Sequence, residues 1–306
     1  MEVIVDPQKP VDFSTSAAIG NFDGVHLGHR EIINLINDIA KQKSTKSCLL
    51  TFEPHPQKVL AGRDVSLIVP VNEKLSLLEQ AGVDYAVSLR FTKELSQLSA
   101  EEFVQDVLIK MLRIKDIVVG PDFMFGKNRS GNADMLKEMG KKYGFETHVI
   151  NPRKLGDEVI SSSMIRKIIV EGNILKLNDL LGYKYFLKGI IVEGEKRGRE
   201  IGFPTANLDT QWELLPKPGV YATISWLGGS RYKSITNIGF RPTFGKNKLL
   251  IETHLFDFSD SVYGEKIRVE FYQRLRDEKK FEGVEYLIAQ IKLDIEEVKN
   301  ILTITE

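Results

Sequence analysis

The chain has 306 residues, room for about two domains of ordinary size, and its 42% hydrophobic and 27% charged content is that of a globular protein. Its 42 basic side chains balance 42 acidic ones, and the balance is local: 23 against 24 up to Tyr183, 19 against 18 beyond. Neither half has the cationic excess of a protein held by a nucleic-acid backbone, so no nucleic-acid partner is expected. The single cysteine, Cys48, excludes an internal disulfide and a cysteine-based zinc cluster, and its place in the apolar run 48–52 reads as a buried thiol. No run of about 18 apolar residues exists, and the start MEVIVDPQKP lacks a basic-then-apolar leader. A cytoplasmic protein without a membrane partner is expected.

From residue 14 to about 151, strand-like runs at 16–19, 47–52, 84–89, 116–120 and 145–150 alternate with helix-like stretches at 29–41, 72–81, 100–112 and 132–143. Asn72 and Ser99 are expected to cap the second and third helices, and Gly82 and Gly144 to stop the second and fourth. Strands separated by helices of this length predict a doubly wound parallel α/β sheet, whose ligands bind beyond the C-terminal ends of its strands.

Four motifs fall at that edge. GNFDGVHLGH (20–29) sits between a short strand and an amphipathic helix. His26 and His29, three apart at the helix opening, can project from one side, where free N–H groups and the helix dipole suit a phosphate. Two imidazoles there could donate to a phosphate oxygen that gains charge in a transition state. The plain alternative is a pair of surface or metal-ligating histidines. TFEPHP (51–56) is a loop stiffened by Pro54 and Pro56 around His55; it walls a pocket or merely turns the chain. GPDFMFGKNRSG (120–131) offers Asp122, two aromatics that could stack on a planar ring (Phe123, Phe125), and the basic pair Lys127 and Arg129. Its alternative is a solvated loop anchored by two core phenylalanines. ISSSMIRK (160–167) places three serines at a helix start with Arg166 and Lys167 one turn in, a polyphosphate cradle or a simple serine cap.

Residues 172–183 read as a short helix and linker, and then the period changes. Six β-rich runs follow at 185–192, 201–208, 219–227, 232–238, 249–258 and 266–272, with turn signals at Gly228-Gly229 and Tyr263-Gly264. Six close-spaced strands predict a small closed antiparallel barrel, with a charged amphipathic helix over 281–302 on its outside. Within GEKRGREIGFPTANL (194–208), Gly198, Gly202 and the group Lys196, Arg197 and Arg199 could wrap a phosphate chain. Thr205 and Asn207 share a face of an extended segment and are hard oxygen ligands suited to Mg²⁺. Glu252 and His254 share a face of a later strand, where a carboxylate could accept the proton of an attacking hydroxyl. A solvent-facing glutamate is the alternative.

GNFDGVHLGH resembles the N-terminal motif of the bacterial bifunctional riboflavin kinase/FMN adenylyltransferases, the prokaryotic FAD synthetases, and the other three N-terminal motifs match in order and spacing. GRxxGFPTANL, PKPGVYA (216–222), NIGFRPTF (237–244), ETHLFDF (252–258) and LRDEKKF (275–281) resemble the kinase half of that family, so the likeness covers nearly the whole chain. The resemblance implies an adenylyltransferase domain over 1–183 and a riboflavin kinase barrel over 184–306. It implies ATP as co-substrate, Mg²⁺ as cofactor, riboflavin, FMN and FAD as ligands, and a monomer or weak homo-oligomer. In the first domain it assigns His26 and His29 to the α-phosphate of ATP, and Gly20, Asn21, Phe22, Asp23 and Gly24 to the nucleotide. Ser162, Ser163 and Arg166 would hold the β- and γ-phosphates. Pro56, Asp122, Phe123, Phe125 and Arg129 would meet the flavin. In the second domain Gly194, Gly198, Arg199, Gly202 and Pro204 would surround ATP, with Thr205 and Asn207 on the metal. Glu252 would be the base, and Arg276 and Phe281 would meet the flavin. Two positions depart from the family pattern: it usually has arginine where this chain has Met124, and commonly a basic residue where it has Met164. Each removes a charge-assisted contact of about 1–3 kcal/mol. Two other readings compete: a riboflavin kinase with weak or lost adenylyl transfer, and a non-catalytic flavin or nucleotide sensor.

Overall fold

The structure, a computed structural model, describes residues 1–60, 65–194, 197–243 and 246–304, with their side chains apart from those of 197, 241–248 and 304. Lys196, and Phe244 of NIGFRPTF, lie outside the described residues. By internal contacts the chain divides into the units Met1–Ser162 and Ser163–Glu306.

The first unit opens with β1 (Glu2–Val5), β2 (Thr15–Ile19), α1 (Leu27–Lys43), β3 (Lys46–Glu53), α2 (Pro56–Leu60), α3 (Val71–Gln80) and β4 (Tyr85–Arg90). α4 (Ala100–Glu102) passes directly into a π-helix over Phe103–Met111. Then come β5 (Ile114–Val119), a hairpin of β6 (Met124–Phe125) and β7 (Gly131–Asn132), α5 (Ala133–Tyr143) and β8 (Glu146–Val149). A second hairpin, β9 (Lys154–Leu155) and β10 (Glu158–Val159), follows. Six strands pair in parallel in the order β1-β4-β3-β2-β5-β8. The inner strands carry unbroken apolar runs because parallel strands are covered on both faces; Ala17, Cys48, Leu50, Val87 and Ile117 are fully buried in one cluster. Burial pushes the Cys48 thiol up to about 12, which makes it inert at neutral pH.

Two expectations need correction here. The sheet gains β1, which the reading from residue 14 onward did not place: Val3 and Val5 are exposed, so the strand has no buried alternation to read. Asn72 is not a cap. Extended Pro70 takes that position and Asn72 lies inside α3, because the Asp23 carboxylate holds the preceding Ile68 and Val69 amides. The other signals match: Ser99 and Glu102 form a reciprocal capping box, and left-handed Gly144 closes α5.

In the second unit α6 (Ser162–Glu171) and α7 (Ile174–Leu181) precede a closed barrel. Its elements in chain order are β11 (Phe186–Val192), α8 (Arg197–Glu200), β12 (Ala206–Thr210), β13 (Gly219–Leu227), β14 (Ser230–Thr243), β15 (Lys246–Leu255) and β16 (Lys266–Arg276). α9 (Val284–Ile304) follows. Strand order around the barrel is β11-β12-β15-β14-β13-β16, with every pairing antiparallel, so no edge is left open. Alternation along β13 divides its residues between two faces. Val220, Ala222 and Ile224 pack with Val298 and Leu302 of α9. Thr223 and Ser225 join a buried hydroxyl chain with Ser234, Thr236 and Thr253 at 2.8–3.0 Å. The run expected as a strand over 201–208 becomes one only at Ala206. Before it, Phe203 N–H bonds back to Gly198 O at 2.7 Å, Gly202 takes φ +89°, and Pro204 has no N–H for a ladder.

Candidate active sites

The loop from β2 to α1 is wound tightly, with positive φ at Phe22 (49°), Gly24 (79°) and Val25 (39°). The tight turn delivers His26 to the N-cap of α1, where its Nδ1 accepts a long bond from the His29 N–H at 3.4 Å. The His26 proton therefore sits on Nε2. The two imidazoles stack with centroids 3.6 Å apart and planes 17° from parallel, and Phe22 meets His29 edge-on at 5.2 Å. Gly28 makes room for the stack, since a Cβ there would press on the His26 ring at 3.3 Å. Burial, then the neighbouring His26 and Lys74, hold the His29 pKa well below the usual histidine value. His29 Nδ1 is buried and unbonded among the described residues. At a helix N-terminus, the neutral His29 ring and the His26 Nε2–H can each offer an N–H to an anion.

The surrounding residues divide between building the loop and facing ligand. Asp23, 3% exposed, accepts from the Ile68 N–H at 3.0 and 3.1 Å, so its carboxylate ties the following segment down. Ser162 Oγ donates to the Asp23 carbonyl at 3.2 Å, while Ser163 and Arg166 stand on α6 in the second unit. Gly20 lies under the Phe22 ring. His55 Nδ1 accepts from the Gln57 N–H at 3.2 Å, and its Nε2 lies 3.0 Å from Asn21 Nδ2. Sequence reasoning missed Lys74: it is 6% exposed, its ammonium donates to Thr51 Oγ1 at 3.1 Å, and burial lowers its pKa against the pull of Glu53 and Asp23. An ordinary lysine in an amphipathic helix gives no signal of such burial.

Of the loop 120–131, Asp122, Met124 and Arg129 line an open cleft of about 620 Å³ with Pro121, Asn132 and Lys137. Phe125 goes to the core, 7% exposed, with Phe103 at 5.8 Å. Phe123 lies nearly parallel to it at 5.6 Å. Pro56 opens α2 and is partly buried. Asp116, Glu146 and His148 also cluster, with ligand atoms within 4.8 Å of one another. The cluster is already neutralised: Lys43 reaches Asp116 at 2.5 Å and Glu146 at 2.8 Å, and His148 Nε2 lies 2.9 Å from Asp116. Its residues form an ion-pair network at the N-terminal ends of the strands, not a vacant metal centre.

The barrel carries a cleft of about 730 Å³. Register places Asn207, Glu252 and Asn237 directly opposite one another across β12, β15 and β14, so the three side chains form one row. Thr205, Glu252 and His254 line one wall, with Gly198 and Phe203. Arg276, Glu278, Lys279 and Phe281 line the other, with Leu287 of α9. The glycines follow from contact: a Cβ on Gly194 would overlap the Asn207 amide, and one on Gly198 would meet Phe203 O and Thr205 Oγ1. Arg199, on α8, is exposed. A hydroxyl, an amide oxygen and a carboxylate in one corner are the hard donors that Mg²⁺ takes, so the residues present fit that ion. The Arg276 guanidinium is held by Asp294 of α9 at 2.6–3.0 Å, which fixes the far wall. Glu278 accepts from Asn237 Nδ2 at 3.3 Å and from the Phe240 N–H at 3.4 Å, strapping the segment after β16 to β14. Asn237 was not singled out in sequence, because its place beside Glu252 is set by strand register alone.

A family model described as FAD synthetase matches residues 8–164, and one described as riboflavin kinase matches residues 181–302. The bifunctional riboflavin kinase/FMN adenylyltransferase of Listeria monocytogenes is 38% identical, over 94% of this chain and 92% of its own. That of Bacillus subtilis is 39% identical, over 92% and 90%. A crystal structure from Streptococcus pneumoniae, described as a macrolide-efflux protein, matches with TM-score 0.89 at 31% identity, covering 98% of this chain and 99% of that one. Among the described residues no helix is long and apolar enough to cross a membrane.

Proposed function

The chain belongs to the bifunctional riboflavin kinase/FMN adenylyltransferase family, and from that premise we propose how its residues divide the making of FAD from riboflavin. The enzyme is a kinase and a nucleotidyltransferase: riboflavin is phosphorylated by ATP to FMN, and FMN then receives AMP from a second ATP, with release of pyrophosphate. The riboflavin kinase match falls on the barrel and the FAD synthetase match on the parallel sheet, which supports one step in each. ATP reaches both sites from the cytoplasm.

In the barrel cleft, Glu252 takes the proton of the riboflavin 5′-hydroxyl as the hydroxyl oxygen attacks the γ-phosphorus of ATP and ADP departs. Thr205 and Asn207 would hold Mg²⁺, which would neutralise phosphate charge when bound. Gly194, Gly198, Arg199, Gly202 and Pro204 wrap the nucleotide, and Phe281 meets the flavin across the cleft. Arg276 acts there through its clamp on Asp294. In the sheet unit a phosphate oxygen of FMN attacks the α-phosphorus of ATP. His26, through Nε2–H, and His29 donate to the α-phosphate oxygens as charge builds. Gly20, Asn21, Phe22, Asp23 and Gly24 shape that loop, with Ser162 anchored to it. Asp122, Arg129 and Phe123 receive the flavin, with Phe125 behind Phe123. The roles of Pro56, Ser163 and Arg166 rest on the resemblance alone.

The observation that carries the kinase assignment is the pairing of Asn207 with Glu252 across two strands, beside Thr205, at the cleft of about 730 Å³. The test is a chromatographic time course of the protein with riboflavin, ATP and Mg²⁺. FMN appearing first and then converting to FAD is expected. FMN that accumulates without FAD, even when supplied directly, would favour the second reading, a kinase whose sheet unit is weakened where exposed Met124 lines the flavin cleft. Absence of any product would leave a ligand-binding protein.

A further inference from the structure

β12 is joined to β15 by two register pairs, Ala206 with Thr253 and Asn207 with Glu252. Continuing that register would set Thr205 opposite His254. The backbone ladder stops short of it, and Pro204 beyond has no N–H with which to resume. Pairing thus ends beside Thr205, an oxygen whose position has to be fixed if it is to hold a metal. A side chain takes over from the ladder. His254 Nδ1 lies 2.7 Å from the Pro204 carbonyl oxygen, and since a carbonyl only accepts, the ring donates from Nδ1–H. Phe203 stands edge-on to the ring at 5.8 Å and Phe256 flanks it at 5.8 Å. His254 lies two residues from Glu252, on the same face of β15, and both line the cleft with Thr205.

We infer that His254 is a positioning residue of the kinase site, whose bond to Pro204 sets Thr205 at a fixed height against Glu252. The inference rests on reading this cleft as the riboflavin kinase site. One strand then carries both the base and the tether of the metal-binding segment. The nucleotide whose Mg²⁺ Thr205 and Asn207 would hold and the hydroxyl activated by Glu252 meet in one frame. Misplacement of a reacting group by about 1 Å costs on the order of 100-fold in rate, so loss of the tether should be visible.

The test uses the full-length protein. His254→Phe keeps the ring packing and loses the donor. His254→Asn places an amide NH₂ where the imidazole Nδ1 stands, and His254→Gln places it at the Nε2 position instead. His254→Phe and His254→Gln are expected to lower kcat for riboflavin phosphorylation roughly 10- to 100-fold, with the riboflavin KM moving less than about threefold. In calorimetric titrations, the gain in ATP affinity that Mg²⁺ gives the parent protein should be lost in both. His254→Asn should restore most of the rate and of that gain. FMN adenylylation should stay at the parent rate in all three, which reports on folding of the chain. Parent-like kcat and parent-like Mg²⁺-dependent binding in His254→Phe would overturn the inference, and so would an asparagine variant no better than the glutamine one. If the phenylalanine variant melts early, the glutamine and asparagine pair decides alone. A parent protein without Mg²⁺-dependent riboflavin phosphorylation would instead refute the reading of the cleft.

Discussion

His29, proposed to face the α-phosphate of ATP, is an imidazole held neutral. Burial removes the water that would stabilise its cation, and the stacked His26 and nearby Lys74 add to the penalty. A neutral ring still donates one N–H, and donors aimed at developing charge are worth about 100- to 1,000-fold in rate. His29→Gln is therefore expected to cut FMN adenylylation by about that factor while FMN formation from riboflavin continues, as product ratios by chromatography will report. The depressed pKa has a second consequence. In the unfolded chain histidine takes its proton near pH 6.5, whereas folded His29 resists until well below it. The folded state then binds fewer protons, so the contribution to stability is complete above about pH 6.5 and is lost as the pH falls below it. Between about pH 7.5 and 5.5 the parent protein should lose more of its melting temperature than His29→Gln does, by calorimetry. In the other unit, Glu252→Gln should lower riboflavin phosphorylation by roughly 100- to 10,000-fold and leave adenylylation of supplied FMN intact.

The elements show where sequence is informative and where it falls silent. The alternation of strands and helices in the first half, and the six close-spaced strands in the second, are legible because buried faces impose periods of 3.6 and 2. Ser99 and Gly144 are legible because capping chemistry is local. The Asp294 clamp on Arg276 and the burial of Lys74 are not, since each is defined by a partner far along the chain: Asp294 and Thr51. Spacing predicts a cap at Asn72 and misses that Asp23 already holds the chain ahead of it. The hydroxyl chain of the barrel is another register effect. Thr236 Oγ1 bonds Thr223 at 2.8 Å and Thr253 at 3.0 Å, all three fully buried. Thr236→Val removes a hydroxyl from the middle of the chain and strands its neighbours, and it should cost about 1–3 kcal/mol in urea unfolding.

At the scale of the whole molecule, the two chemistries share ATP, and the residues proposed for them differ in character. In the proposed assignment, one site would work with imidazoles at a helix start, the other with a carboxylate and hard oxygens on strands. Full-length His29→Gln and Glu252→Gln should each fail to turn riboflavin into FAD at the parent rate. An equimolar mixture should recover FAD after a lag, with free FMN rising and then falling in the chromatogram. The buried thiol of Cys48 makes further experiments practical. With its ionisation pushed up to about 12 and no exposed surface, it is invisible to maleimide dyes. Cysteines introduced at one exposed position in each unit, such as Leu60 and Leu293, would then be the sites to take a label. Fluorophores or spin probes could be attached in pairs to the natural background, and the distances between the two units measured with and without nucleotide.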